Sequence, residues 1–505
     1  MALTIERALR WWAWDKPESL AIHFDGEEIG FGEMFAWSSR IAQWLKAEGV
    51  GPGDRVAIVA ANSMDYALLL IGTMFAGAIG SPISFRSSPR DLRKSLDVLE
   101  PALIFSDPDR DDCVRAALGS AESERRRELS AIRDLKDGPP APVPEFEAKA
   151  NDPLFIINTS GSTGYPKGVI YGQAATMAYA AEFAIMQPAT GHGGGALVTG
   201  PFSSASGTLL LFQFLAVGAA VYMESRFSAE GALRLLRDKR ISTFLASTVF
   251  FERIAAEPQF EQADLSTLAF AQISGARVSP ELLRRYCEKG VVLRQAYGCT
   301  EAGGAWAARD ETAIDEPEKC GPGAMFSRFK VVREDGSSAP AGEPGEILIQ
   351  SDALAIGYWN DQEQTAETFR NGWLHTGDRG VMDERGNLTF IDRIKDIIIS
   401  GGLNVSAMEV ENAICEIDGI EEAVVLAAPD DKFGETPLAV VYGDHARIDP
   451  AAVIAHCRDA LASYKIPSYV VVEDRPMPRL PSGKIDKVTL RAKYADAAQR
   501  LEKLR

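Results

Sequence analysis

Residues 159–168 read TSGSTGYPKG and follow the apolar run of residues 154–157. Glycine, serine and threonine in succession after a buried strand can turn hydroxyls and backbone N–H groups toward one concave point, and the ammonium of Lys167 adds positive charge there. Phosphate oxygens suit such a cradle. The spacing from Gly164 to Lys167 does not fit the Walker A pattern G-x-x-x-x-G-K-[ST]. Composition alone leaves an ordinary Ser/Gly turn as an equal alternative. The rest of the chain makes such a cradle important. Its 505 residues carry a formal net charge of −18, which repels nucleic-acid phosphates and anionic lipid. An anionic small substrate must therefore be received by local cations and backbone N–H groups in one concentrated site.

Further short motifs follow: SGAR at 274–277, YGCTE at 297–301, WLHTGD at 373–378, DRIKD at 392–396 with SGGLN at 400–404, and PSGK at 481–484. In this order they resemble the motif set of the adenylate-forming superfamily, which includes acyl- and aryl-CoA synthetases, firefly luciferase and the adenylation domains of nonribosomal peptide synthetases. The resemblance spans residues 159 to 484, most of the chain. It implies an AMP-forming carboxylic acid–CoA ligase. Such an enzyme uses ATP and Mg2+ to make an acyl-adenylate and pyrophosphate, then passes the acyl group to the thiol of coenzyme A.

Carried onto this sequence, the resemblance implies that Thr159, Ser160, Gly161, Ser162, Thr163, Gly164 and Lys167 bind the ATP phosphates. Tyr297 offers a ring for adenine to stack on, Gly275 and Ala276 let backbone approach the opposite face, Gln295 can bond the adenine edge, and Gly298 belongs to the same motif. Asp378 can accept both ribose hydroxyls, with Arg393 able to reach the same sugar. Thr300 presents a hydroxyl to the α-phosphate, and Glu301 a hard oxygen ligand for Mg2+. Lys484 supplies the ammonium for adenylation, where attack of a carboxylate on the α-phosphorus brings two anions together. Lys395 is implied as a hinge, after which the C-terminal segment rotates to exchange Lys484 for a face opening a pantetheine tunnel near Gly401 and Gly402. Phe433 falls where relatives stack an aromatic on the CoA adenine. Outside these motifs the same residues have plainer roles: a core tyrosine, a surface salt bridge, a helix cap, a solvated lysine.

Two departures from the family pattern bear on the acid. The pocket segment P-L-F-H-x-x-G is here Pro201, Phe202, Ser203, Ser204, Ala205, Ser206 and Gly207, with Ser204 at the histidine position. Small residues leave room for a bulky or ring-containing acid, and their hydroxyls could equally bind a substituent. SGAR carries Ala276 where many members have a second glycine, which keeps the backbone close. The nearest alternative is a free-standing adenylation enzyme that loads the phosphopantetheine of a carrier protein. Residues 201–207 hold no carboxylate of the kind that amino-acid-activating relatives use, so CoA leads. A luciferase-like oxygenase shares only the first step, and an inactive nucleotide-binding module would not need Lys167, Thr300, Glu301, Asp378 and Lys484 together.

The elements that must hold these groups follow from patterning. Hydrophobic residues make up 46% and charged residues 25% of the chain, as in folded globular proteins, and the length calls for more than one domain. Up to about residue 145, helical stretches such as 31–48 alternate with β-branched runs at 55–60 and 102–106, and similar alternation continues from 152 to 277, predicting layered α/β structure. Residues 121–144 read as a solvated helix and a proline-rich connection. After residue 321, short runs at 330–333, 346–350, 380–382 and 388–391 between turn signals predict a small β-rich unit. A smaller α+β unit follows, with helices at 407–417 and 450–462 and a strand at 422–427. The expected domains are 1–394, binding ATP and acid, and a mobile 395–505. Residues 66–85 and 207–223 lack charge over nearly a membrane span, but Gly72, Gly77, Gly80 and Pro82 in the first, and the serines flanking the second, predict buried helix–strand pairs. Six cysteines without a C-x-x-C pair predict reduced thiols and no zinc site. Glu6 and Asp15 argue against a signal peptide, and LEKLR shows no peroxisomal or prenylation signal. The expected setting is cytoplasmic, with no nucleic-acid partner, no integral membrane association, and homodimerisation left open.

Overall fold

The computed structural model describes residues 3–118, 124–142, 145–160, 166–274, 278–400, 403–430, 432–445, 447–480 and 484–504. It comprises two compact units, Met1–Phe329 with Ile349–His375, and Lys330–Leu348 with Thr376–Arg505. The first is layered α/β, as the alternation of helical and β-branched runs predicts. One sheet has eight strands in the order Trp306–Ala307, Leu293–Tyr297, Phe270–Ser274, Thr243–Ser247, Gly195–Leu197, Ala220–Met223, Leu20–Phe24 and Glu27–Gly30. Its six inner strands are parallel and its two edges antiparallel. The other has seven strands in the order Gly357–Tyr358, Pro166–Gly172, Pro153–Ser160, Ile79–Ile83, Arg55–Val59, Leu103–Ser106 and Arg126–Glu128.

Both charge-free stretches are core. Residues 66–85 fall on helix Met64–Phe75 and strand Ile79–Ile83, with Ser63 capping the helix by accepting from Tyr66 N at 3.1 Å. Residues 207–223 fall on a π-helical turn, Ala205–Leu209, then helix Leu210–Ala216 and strand Ala220–Met223. No helix among the described residues is long and apolar enough to cross a membrane.

The charged stretch after residue 121 differs from expectation. In place of a solvated helix, its described residues form strand Arg126–Glu128 and a short 3-10 segment, Leu129–Leu135. Leu129 and Ile132 are buried, and Ile132 O accepts Trp37 Nε1 at 2.9 Å. Its cations are matched outside the segment, Arg133 and Lys136 with Glu27 at 2.8 Å and Arg126 with Asp111 at 2.5 Å. Two apolar anchors and long-range ion pairs thus override local helix propensity.

The expected β-rich part is a five-stranded sheet in the order Arg328–Val332, Gly345–Gln350, Trp373–Met382 and Phe369–Arg370, with Leu388–Arg393 also paired on Trp373–Met382. The turn between the last two strands in sequence is tied by Asp383, whose Oδ1 accepts from Arg385 N at 2.9 Å and Asn387 N at 2.8 Å. The second unit also holds helices Ala407–Cys415 and Pro450–Ala460, packed on a sheet built around the antiparallel pair Ile420–Asp430 and Gly434–Gly443.

A buried acid secures the segment that follows YGCTE in the first unit. Glu182, on helix Gln173–Met186 and 3% exposed, accepts from Trp306 Nε1 at 3.2 Å, from Ser327 Oγ at 2.7 Å and from Phe326 N. Glu182→Ala strands three donors and should lower the stability of this unit by about 3 kcal/mol, read as an earlier first urea transition. Glu182→Gln, which keeps an acceptor, should lose less, and equal losses would show that packing volume rather than hydrogen bonding is at stake.

Candidate active site

Strand Leu293–Tyr297 carries Gln295 and Tyr297 to its C-terminal end, the edge of a parallel sheet at which ligand crevices form. Tyr297 is 6% exposed and meets Phe329 edge-on at 5.8 Å. Gly298, Cys299 and the 3-10 turn Thr300–Ala302 follow. Three side chains hold this turn by its backbone. Tyr171 Oη donates to Thr300 O at 2.6 Å, Gln213 Nε2 to Gly303 O at 3.0 Å, and Tyr179 Oη to Ala305 O at 2.5 Å. Burial holds the Tyr171 phenol well above its ordinary pKa, so it remains a donor. Gly304 lies so close to Tyr179 that an added Cβ would sit 2.1 Å from the ring.

Lys167 comes from the hairpin Pro153–Ser160 and Pro166–Gly172, where it pairs with Thr159. Thr159 Oγ1 donates to Lys167 O at 3.4 Å. Ser160 is described as part of its strand, whereas Gly161, Ser162, Thr163 and Gly164 lie outside the described residues, as do Gly275 and Ala276. The Lys167 ammonium donates to Gln364 Oε1 at 2.7 Å and stands 5.3 Å from the Tyr358 ring centroid. The hydroxyl of that tyrosine donates to Glu301 Oε1 at 2.8 Å. The lysine and the glutamate, 134 positions apart in sequence, thus share one aromatic neighbour. Glu301 fits a magnesium ion that arrives on a nucleotide: it is a hard oxygen donor with one oxygen fixed and the other available. The described residues contain no group of three or more His, Cys, Asp or Glu that could hold a metal by itself.

The pocket segment is folded tightly. Asn62 donates to Gly200 O at 3.0 Å and accepts from Phe202 N at 2.8 Å. The Phe202 ring is fully buried and edge-on to Tyr66 at 5.0 Å. Ser203 and Ser204 are half-buried. Ser204 Oγ donates to Pro201 O at 2.8 Å and lies 2.9 Å from Ser206 Oγ, so two of the hydroxyls already engage one another. A Cβ on Gly207 would lie 2.2 Å from Pro201 O, which requires glycine there.

The remaining groups belong to the second unit. Asp378 and Arg393 face each other across the strand pair Trp373–Met382 and Leu388–Arg393, with Arg393 Nε 3.5 Å from a buried carboxylate. Asp378 N donates to Thr376 Oγ1 at 3.1 Å, and that hydroxyl donates to Ile347 O at 2.7 Å. Lys395 is exposed on the 3-10 turn Ile394–Asp396. Lys484 is exposed at a turn closed by the bridge between Arg479 and Ile485 and by Leu480 N donating to Lys484 O at 2.8 Å. Phe433 is held by Asp430, which accepts from Phe433 N at 2.9 Å; the Lys503 ammonium bonded to the same carboxylate depresses its pKa. Gly401 and Gly402 lie outside the described residues.

Residues 9–359 match the family model described as AMP-binding enzyme, and residues 409–484 that of the AMP-binding enzyme C-terminal domain. The chain belongs to the AMP-binding enzyme family. It is 32% identical to a feruloyl-CoA synthase of an Amycolatopsis species, covering 95% of this chain and 96% of the relative. It is 31% identical to a long-chain-fatty-acid–CoA ligase of Mycobacterium tuberculosis, covering 92% and 93%. Among solved structures it resembles the o-succinylbenzoate CoA synthetase of Bacillus subtilis in complex with its acyl-adenylate, with a TM-score of 0.86, 25% identity and coverage of 97% and 98%. That synthetase in complex with ATP and magnesium ion gives a TM-score of 0.84, at 25% identity and coverage of 95% and 98%.

In this AMP-binding enzyme, sequence reasoning missed the residues that hold the motif residues in place. Tyr358 and Gln364 lie in GYWNDQEQ, where only Gly357 and the Asn360-Asp361 pair signal a turn. Tyr171, Tyr179, Gln213 and Asn62 act on backbone far away in sequence, and no local spacing announces such contacts. Gly304→Ala should drive the Tyr179 ring off the turn that carries Thr300 and Glu301, lowering stability by about 2 kcal/mol. Urea unfolding checks this. A wild-type midpoint would mean that the turn tolerates movement of Tyr179.

Proposed function

We propose that this AMP-forming acid–CoA ligase takes a carboxylic acid with a bulky or ring-containing body, and that the motif residues act as their chemistry suggests. The enzyme uses ATP, Mg2+ and CoA, and forms an acyl-adenylate before the thioester. The observation that best supports the assignment of roles is the set at the end of strand Leu293–Tyr297, where Thr300 and Glu301 sit on a braced turn and Tyr358 links Glu301 to Lys167. On this reading Lys167 neutralises phosphate charge, Thr300 orients the α-phosphate, and Tyr297 and Gln295 receive the adenine. Asp378, oriented by Thr376 and Arg393, holds the ribose. When bound through Glu301, Mg2+ adds positive charge at the phosphates. Lys484 stabilises the charge that builds as the acid's carboxylate attacks phosphorus. The small side chains of Ser203, Ser204 and Ser206, together with the likeness to a feruloyl-CoA synthase, favour a bulky acid. Six cysteines scattered without a C-x-x-C pair suit the reducing cytoplasm.

Pyrophosphate release should require ATP, Mg2+ and an acid together, and hydroxylamine should trap an acyl-hydroxamate without CoA. A panel of short, medium, long, aromatic and polycyclic acids then ranks kcat/KM. Formation of ADP and phosphate would exclude adenylation, and a clear preference for short acids would remove the bulky-acid proposal.

We assign the hinge to Lys395 and the domains to 1–394 and 395–505. Lys395 lies on a 3-10 turn, whose usual φ of about −50 to −70° proline can adopt, so Lys395→Pro should fold while losing the dihedral change a rotation needs. It should form adenylate yet transfer it poorly. Lys484→Ala should lose about 3 kcal/mol in the adenylation barrier yet still convert supplied acyl-adenylate to thioester. Single-turnover assays of each half-reaction separate the two. Equal damage to both steps by both variants would rule out a two-conformation mechanism.

A further inference from the structure

Tyr358 touches both charged groups of the phosphate site and belongs to none of the motifs. It lies on the two-residue strand Gly357–Tyr358, paired antiparallel with Pro166–Gly172 and opposite Val169. Its N–H donates to Thr365 Oγ1 at 2.9 Å, and that hydroxyl donates to Asp361 O at 2.7 Å, so the helix Gln362–Thr368 fixes the tyrosine backbone. The side chain is buried and then divides its contacts. The hydroxyl donates to Glu301 Oε1 at 2.8 Å, and the ring lies 5.3 Å from Lys167 Nζ, which Gln364 of the same helix holds at 2.7 Å.

Glu301 sits on a three-residue turn, Thr300–Ala302, and its long side chain needs an external contact to fix the plane of its carboxylate. A carboxylate offers about four lone-pair positions, and the tyrosine takes one on Oε1. Outer hydrogen bonds of this kind orient metal-binding carboxylates. The aromatic face attracts the ammonium without neutralising it, so Lys167 keeps its charge for an incoming anion.

We propose that Tyr358 is a positioning residue for adenylation, setting the Glu301 carboxylate for the nucleotide's magnesium ion through its hydroxyl and seating the Lys167 ammonium through its ring. This rests on the roles proposed above for Glu301 and Lys167. Tyr358→Phe removes the hydroxyl alone. By calorimetry it should bind ATP as wild type does in EDTA, but need about tenfold more Mg2+ for half of the magnesium-dependent gain in ATP affinity. Tyr358→Leu, which also removes the ring, should weaken ATP binding in EDTA as well. In a Glu301→Gln background, Tyr358→Phe should add no further magnesium defect. Wild-type magnesium dependence in Tyr358→Phe, or additive defects in the double variant, would overturn the proposal. Loss of metal-free binding in Tyr358→Phe would do the same, because the hydroxyl would then be supporting the pocket rather than Glu301. These titrations need no acid, so they judge Tyr358 even if the wild type gives no AMP and pyrophosphate with any acid, a result that would count against the ligase reading alone.

Discussion

A polyanionic nucleotide has to be held by a chain whose own formal charge is −18. At physiological ionic strength that charge is screened over roughly 8 Å, so what matters is how few charges stand within that distance and how firmly they are held. Among the described residues of the first unit, what stands out is how backbone is held. The turn carrying Thr300 and Glu301 is tied at Thr300 O, Gly303 O and Ala305 O by three side chains from separate elements. The two formal charges near it share Tyr358 as a neighbour. Glycine at 304 is a consequence of the same tight packing, because the ring that braces the turn occupies the space a side chain would need.

The layered fold was legible in the sequence because its elements are bounded by strong local signals. Residues 55–60 and 102–106 are β-branched or apolar runs between polar turns, and both became strands within one residue of expectation. Residues 66–85 split into helix and strand where Ala76 and Gly77 interrupt them. The failure at residues 121–144 has the opposite cause. A run dense in Arg and Glu resembles a solvated helix, yet the two apolar residues Leu129 and Ile132 dock it on the core, and its charges are satisfied by Glu27, Glu48 and Asp111 from far along the chain. Nothing in the segment itself signals those partners.

The site divides in the same way. Thr300, Glu301, Lys167 and Asp378 stand out because each lies in a short motif whose residue types suit phosphate, metal or ribose. Their supports do not stand out. Tyr171 and Tyr179 lie outside the motifs, and as buried aromatics they are indistinguishable in composition from core residues such as Tyr66 and Tyr286. What distinguishes them is where each hydroxyl goes. Tyr66 donates to Ile58 O at 3.2 Å and Tyr286 to Phe251 O at 3.0 Å, whereas Tyr171 and Tyr179 donate to the segment that carries Thr300 and Glu301. Such destinations depend on tertiary packing, and a single sequence does not encode them at any fixed spacing.

Within the second unit the candidate charged groups are held in two different ways. Asp378 is buried within a strand pair and faces Arg393 at 3.5 Å, while Lys395 and Lys484 are exposed on short turns. Only the carboxylate of this pair is buried, Asp378 at 8% side-chain exposure against 51% for Arg393, and leaving it without partners costs about 1–3 kcal/mol. Releasing a solvated cation from an exposed contact costs about 1 kcal/mol or less. On the proposed roles, a group that holds the nucleotide through both steps is fixed by the strand pair. On the proposed mechanism, a lysine that enters for adenylation and leaves before thiol attack is served by an exposed position, where solvent weakens its contacts. On those proposed roles, burial fixes Asp378 in its strand pair, while solvent lets exposed Lys484 change contacts at little cost.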